Sequence, residues 1–135
     1  MFYLDSCTCI TFLRGKAPLI RALLEANDPK LFGIPAIVEA ELRVGAEKSI
    51  NPRKMHYLVD QFLLPFEIIP FDAACAYTYG KIRATLERQG NRIAHNDLLI
   101  AATALTHNAV LVTSNTKEFV RVPGLAVEDW EEIDI

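Results

Sequence analysis

Apolar and polar positions fall into blocks of two lengths. Short apolar runs occupy residues 2–5, 31–34, 66–70 and 109–113, and each reads as a strand. The run at 109–113, Ala-Val-Leu-Val-Thr, is continuous and bounded by polar residues, the pattern of a strand buried on both faces. A further short strand is expected at 125–127.

Between these runs the pattern is helical. Residues 6–14 and 17–26 form two short helices separated by Gly15 and Pro18. Pro35 suits a first helical turn, and Ile37, Val38, Leu42 and Val44 with Ala40 and Ala46 carry that helix to about 47. Another helix follows Asn51-Pro52 and runs to Leu64. Asp72 is placed to cap a long helix over 73–88, which Gly90 ends. His95 or Asn96 opens a last apolar helix over 97–106, with Asn108 as its left-handed cap. Strands separated by helices predict an α/β domain with a mainly parallel sheet and right-handed crossovers. Ligands of such sheets sit outside the carboxyl ends of the strands. Asp5 and the segment Thr113-Ser114-Asn115 are the first residues beyond two such ends.

Composition narrows the class. The chain has 135 residues, 51% apolar and 23% charged, which fits one domain over 1–135 with no linker, repeat or low-complexity tract. The apolar content excludes global disorder. No stretch approaches the roughly 20 apolar residues that span a bilayer. The start Met1-Phe2-Tyr3-Leu4-Asp5 meets a carboxylate at once, unlike a secretory signal, so a cytoplasmic protein with no membrane association is expected. Cys7, Cys9 and Cys75 have neither disulfide-framework nor zinc spacing and read as small packing residues. Net charge is −3, but it is uneven. Five of the 17 acids lie in residues 128–135, so over the rest of the chain the 14 bases outnumber the acids by two. The body is mildly basic and the tail acidic, which allows a local basic face but no strong global field.

Three acids stand in or beside apolar segments, where a charge needs a reason. Asp5 ends the first strand, Glu41 lies mid-helix between Ala40 and Leu42, and Asp97 opens the helix Leu98-Leu99-Ile100-Ala101-Ala102. Singly, each has an ordinary structural explanation: a cap, a solvated face, a partner for a helix dipole. Periodicity does not show whether they converge. Converging carboxylates need a cation to stay ionised together, and their hard oxygens select Mg²⁺ or Mn²⁺. Such an ion suits phosphodiester cleavage, where it polarises the phosphoryl oxygen and orients a water.

At this point the chain resembles a PIN-domain ribonuclease, and specifically the VapC toxins of type II toxin–antitoxin pairs. The matching segments are Leu4-Asp5-Ser6 with Cys9-Ile10 and Leu13-Arg14-Gly15, Glu41-Leu42-Arg43-Val44-Gly45-Ala46, and Gly80-Lys81-Ile82-Arg83-Ala84. Asp97-Leu98-Leu99-Ile100-Ala101-Ala102, the run from Leu111 to Phe119, and Val122-Pro123-Gly124-Leu125 complete the series. Each segment is weak alone; their order and spacing together are specific. The resemblance implies a three-layer α/β/α sandwich around a parallel sheet. It implies that Asp5, Glu41 and Asp97 are the principal acids, binding one or two divalent ions, Mg²⁺ or Mn²⁺, and positioning the attacking water. Asn115 falls where many members carry a fourth Asp, so a second metal site would be weakened; Glu118 is a candidate to supply the missing charge, directly or through water, with a surface helix acid as the equal alternative. Thr113 and Ser6 match positions that hydrogen-bond the acids. Cys7 departs from the usual Asn, which removes an amide that would orient Asp5. The resemblance further implies a structured RNA substrate (a transfer RNA or another part of the translation machinery), a homodimer, and a cognate antitoxin that presents an Arg to the carboxylates.

Other residues carry less. His56, His95 and His107 lack metal or triad spacing and read as surface or capping residues, although His95 stands two residues before Asp97. Arg14, Arg43, Lys48, Arg83, Arg88, Arg92 and Lys117 are candidates for phosphate contacts, with Arg83 and Lys81 ranked first and solvated helix faces as the alternative. Trp130 and the acidic tail are expected to seal the fold's edge. Two other classes are open. A phosphate- or nucleotide-binding α/β module would place an acid at position 5, but position 7 is Cys and no Gly-rich phosphate loop is present. A catalytically weak PIN domain that only binds a partner is favoured by the neutral Asn115.

Overall fold

The computed structural model describes residues 1–131; the acidic tail from 132 onward lies outside the described residues. The elements are β1 (Phe2–Leu4), α1 (Ser6–Leu13), α2 (Pro18–Ala26), β2 (Phe32–Pro35), α3 (Ala36–Glu47) and α4 (Pro52–Leu63). They continue with β3 (Glu67–Ile69), α5 (Ala73–Arg88), α6 (His95–Thr106), β4 (Val110–Val112), α7 (Thr116–Phe119) and β5 (Val127–Glu128). All strand pairs are parallel, in the order β3-β2-β1-β4-β5. Helices flank the sheet, with α5 packed along α6 and α3 along α4.

The chain leaves β1 toward β2 on one side and later returns to β4 on the other. Tyr3 pairs with Gly33 in one direction and with Leu111 in the other. The carboxyl ends of β1 and β4 therefore flank the crevice where parallel α/β sheets bind ligands. The central strands are apolar throughout, since Leu4, Ile34, Leu111 and Val112 are completely buried. Gly33 is required by close packing: a Cβ there would lie 2.8 Å from the Tyr3 ring. Helix α6 is apolar on nearly every side and sits in the core, with Ile100, Ala101, Ala102 and Ala104 buried.

Several element ends differ from the sequence reading, each for a local reason. Leu31 closes a turn of 3-10 helix (Pro29–Leu31) capped by Asp28, so the strand starts at Phe32. Pro35 pairs with Ile69 as the last residue of β2, and α3 begins one residue later. Helix α6 begins at His95, two residues earlier than the apolar run suggested, and places Asp97 in its first turn. The short α7 was not expected, and β5 is displaced to Val127–Glu128 by its pairing with β4. The caps at Asp72 and Asn51 accept from Cys75 N–H and Lys54 N–H, and Asn108 has the positive φ of 53° expected of it. Trp130 is buried against Phe2 and Phe32, with ring centroids 5.3 and 6.1 Å away, and so closes the edge as expected. Cys9 and Cys75 are buried packing residues, as expected; Cys7 is not one of them.

Candidate active site

Asp5 is 4% exposed and leaves β1 as the N-cap of α1. Its Oδ1 accepts from Ser6 N–H at 2.8 Å, and its Oδ2 accepts from the Thr113 hydroxyl at 2.7 Å. Thr113 is wholly buried at the end of β4, and its Oγ1 also accepts from Asn115 N–H at 3.0 Å. Thus Thr113 touches the acid with its side chain, whereas Ser6 does so with its backbone. Cys7 fills the space beside them. Its Sγ lies 3.5 Å from Asp5 Oδ2 and 3.3 Å from Thr113 Oγ1, and accepts from Ser114 N–H at 3.4 Å. The thiol joins the ends of β1 and β4, a task a two-ended amide would also perform.

Glu41 lies in the middle of α3, and its charge reaches Asp97. It lines a cavity of about 200 Å³ with Ile10, Arg14 and Met55, and its buried Oε1 has no hydrogen-bond partner. An unpartnered buried carboxylate oxygen costs on the order of 1–3 kcal/mol. Asp97 is half-buried, and its carboxyl is pushed up to about 7. Burial is the largest cause, followed by the hydrogen bond with Glu118 and the charges of Glu118, Asp5 and Glu41. The charges of Asp5 and Glu41, the other two acids singled out in the sequence, therefore both reach Asp97, with Glu118 as the fourth acid.

Glu118 is held from three sides. Its Oε1 accepts from Ala94 N–H at 3.0 Å, its Oε2 accepts from Asn115 Nδ2 at 2.7 Å, and it is a hydrogen-bond partner of the Asp97 carboxyl. Burial pushes its carboxyl up, but the Ala94 and Asp97 hydrogen bonds, then Asn115 and the charge of Arg121, outweigh this and hold it below its ordinary value. Asn115 acts here as a donor that orients Glu118. Ala94 and Arg121 had not been singled out in the sequence; the only trace of the latter was its position one turn beyond Glu118.

The oxygen donors and the orphaned Glu41 Oε1 fit a hard divalent cation. Among the described residues no three His, Cys, Asp or Glu side chains are drawn together at ligating distance, so an ion would have to gather them. The cations are more dispersed. Arg43 is spent inside the fold: its Nη2 donates to Asp60 at 2.6 Å and Glu39 at 3.0 Å, and its Nη1 meets His56 Nδ1 at 3.2 Å. His56 also bridges to Glu47 at 2.6 Å. Arg83 donates to Glu87 at 2.7 Å and to the Tyr79 hydroxyl at 3.0 Å, on an exposed face of α5. Lys81 lies over the Tyr77 ring, and Arg14 is exposed at the end of α1 beside Glu41. His107 ends α6 and pairs with the Tyr3 hydroxyl at 2.9 Å. No helix among the described residues is long and apolar enough to cross a membrane.

Known proteins are similar to this chain in sequence and fold. The PIN domain family model matches residues 2–125. Ribonuclease VapC2 of Rickettsia felis is 46% identical over 99 residues, covering 73% of this chain and 74% of its own. The tRNA(fMet)-specific endonuclease VapC of Salmonella typhimurium is 37% identical over 129 residues, covering 96% and 97% of the two chains. The crystal structure of DNA-bound VapBC from Salmonella typhimurium superposes with a TM-score of 0.91 at 37% identity, over 96% of this chain and 97% of that one. A family model spanning most of the chain and relatives alike over nearly all of it lead to one assignment: the chain belongs to the PIN-domain family and, within it, to the VapC ribonucleases.

Proposed function

We propose that this chain is the toxin of a type II toxin–antitoxin pair and an endoribonuclease that hydrolyses phosphodiester bonds in structured RNA, transfer RNA first. The observation that carries this reading is Asp97 beside the crevice of the sheet, its carboxyl lifted to about 7 by burial first, then by the hydrogen bond with Glu118 and the charges of Glu118, Asp5 and Glu41. A Salmonella relative is named for cleavage of tRNA(fMet), which supports the substrate class.

PIN-domain nucleases depend on a divalent cation. Mg²⁺ is the ion we assign, since carboxylate oxygens and water are its preferred donors, and Mn²⁺ would serve in its place. Asp5, Glu41 and Asp97 would hold it. When bound, the ion supplies charge stabilisation for the phosphoryl group and a more acidic water. The chain's own residues do the rest. Thr113 and Ser6 N–H fix the Asp5 carboxylate in one orientation. Asn115 and Ala94 N–H fix Glu118, whose hydrogen bond and charge favour the protonated form of Asp97. A bound cation or cationic side chain would favour the ionised form instead. The apolar body of α6 closes the site from below.

Three further parts of the reading follow. The antitoxin presents an Arg to the carboxylates, a charge-assisted contact that Glu41 Oε1 is open to accept. The structural relative is itself a VapBC complex, which supports such a partner. The active toxin is a homodimer, and it works in the cytoplasm, where its RNA is. The test is cleavage of total transfer RNA and a structured control RNA by folded, antitoxin-free protein, with Mg²⁺, Mn²⁺ or EDTA. Discrete metal-dependent fragments that an Asp5→Ala variant does not produce support the nuclease. No cleavage with either metal makes the chain a binding-only PIN domain.

A further inference from the structure

A small polar cavity of about 160 Å³ lies against the first turn of α6, lined by His95 and Leu98 but by none of the four acids. His95 and Leu98 line it, three residues apart on one side of the helix, while Asp97 departs from the opposite side. The floor is apolar: Leu86, Ile93 and Leu98 are all buried. The rim is polar and cationic, formed by Arg83, Asn91, Arg92 and His95. The acid on this rim, Glu87, is already taken up by Arg83 at 2.7 Å. Among the described residues the Asn91 side-chain amide makes no hydrogen bond of its own.

The cavity and the acids share a wall. Arg121 Nη1 donates to the Arg92 carbonyl at 3.2 Å, and Glu118 Oε1 accepts from Ala94 N–H at 3.0 Å. The Arg92–Ala94 segment is thus tied at both ends to α7 and the turn after it, which also carry the partner of Asp97. Helix α6 carries residues of both, His95 and Leu98 at the cavity and Asp97 at the acids, and a helix is about 10–12 Å across with its side chains. A chain lying over the acids would reach the cavity with a neighbouring nucleotide.

We propose that this cavity is a nucleotide subsite that takes one unpaired base of the RNA beside the phosphate held at the acids. The apolar floor accepts the face of a base, and the planar Arg83 guanidinium and His95 ring offer stacking surfaces. Asn91 carries both donor and acceptor and reads the base edge. Arg92, at the rim, meets the backbone phosphate. The volume is below the roughly 300–1,000 Å³ of sites that enclose whole small ligands, in keeping with one inserted ring. A bare phosphate would have no use for the apolar floor. RNA as the source of the base rests on the nuclease reading given above.

The experiment is an NMR titration of isotope-labelled, folded protein in EDTA, which separates binding from cleavage. The probes are a nucleoside 5′-monophosphate, the matching nucleoside and inorganic phosphate, with wild type and Asn91→Ala. Saturable shifts at Asn91, Ile93, His95 and Leu98 with the monophosphate, weaker with the nucleoside and lost in Asn91→Ala, are expected. Shifts elsewhere, no shifts, or inorganic phosphate reproducing the pattern overturn the subsite. In cleavage assays Asn91→Ala should raise KM about tenfold with the loss absent from kcat, as removal of uniform binding requires. If Asn91→Ala instead weakens only antitoxin binding, the cavity belongs to the partner and the proposal fails. Nucleotide binding without cleavage would sink the nuclease reading and leave the subsite standing; cleavage without nucleotide binding would do the reverse.

Discussion

Asp5 and Asp97 are both acids at the mouth of one crevice, yet the fold treats them in opposite ways. Asp5 is almost wholly buried, and each of its oxygens has a protein donor: Ser6 N–H on one, the Thr113 hydroxyl on the other. Asp97 is half-exposed, has acids for neighbours and keeps its proton to about 7. Burial is the largest cause of the lift at Asp97, and the surroundings of the two acids differ further in the supply of donors. The β1–β4 side is a finished hydrogen-bonded unit, and the α3–α6–α7 side holds carboxylates with too few donors among them, Glu41 Oε1 having none. The first side sets position; the second needs positive charge from outside.

The largest effect should come from breaking the needy side directly. Asp97→Asn keeps the shape and removes the charge, and should lower cleavage by about 10³-fold while leaving the folded protein intact, by analogy with loss of one preorganised electrostatic group. Asp5→Ala should be comparably inactive, but it should also cost about 1–3 kcal/mol in urea unfolding, because it strips the α1 cap and removes the carboxylate to which the Thr113 hydroxyl donates. Only on the finished side should lost activity carry lost stability.

The next effect is on stability against pH. An unfolded Asp titrates near 3.8, whereas Asp97 in the fold titrates at about 7. Between these values the folded protein binds the extra proton, so stability in EDTA should fall as pH rises through that window and level off above it. Glu118 acts in a lower range: its depressed carboxyl stabilises the fold above the ordinary 4.5 and loses that effect as pH falls further. Thermal melts in EDTA from about pH 5 to about pH 8 should show the decline, and Mg²⁺ should reverse it most at the high-pH end. A rise in Tm with pH in EDTA would mean that Asp97 is not held protonated.

Glu118→Gln should cost about 10–100-fold in cleavage, the usual scale for a group that orients metal ligands. It keeps acceptor oxygen for Ala94 N–H but relieves Asp97 of a neighbouring charge, so the pH-dependent decline should shift to lower pH. Asn115→Asp should not restore a better site, because the new carboxylate would face Glu118 where an amide now donates at 2.7 Å. Arg43→Ala is expected to lower Tm by a few degrees, about 1 kcal/mol, through loss of the Asp60 and Glu39 contacts, with little change in the salt dependence of RNA binding. The smallest effect belongs to Cys7→Asn, which exchanges one bridge between β1 and β4 for another and should change cleavage by less than about tenfold.

The difference between the two sides also decides what the sequence makes legible. Asp5 and Thr113 announce themselves as polar residues ending apolar strands, and a parallel sheet brings such ends together by rule. Asp97 and Glu41 stand out as acids in apolar helices, but their approach depends on how α3 and α6 cross the sheet, which no local pattern encodes. The Glu118 contacts were hidden for a different reason. Ala94 contributes only a backbone N–H, Asn115 looked like a missing acid, and α7 is too short to give a periodic signal. Arg43 shows the converse: a lone Arg on a helix reads as an RNA contact until Asp60, on the next helix, is seen to claim it.

The most direct test of the account is a count of protons released when Mg²⁺ binds. Calorimetric titration of antitoxin-free protein at about pH 6, in two buffers of different ionisation enthalpy, measures it. At that pH the Asp97–Glu118 pair still holds its proton, so Mg²⁺ binding should release close to one proton per ion, and Asp97→Asn should release none. Mg²⁺ binding by the wild-type protein with no proton release would contradict the claim that Asp97 gives up its proton to admit the metal.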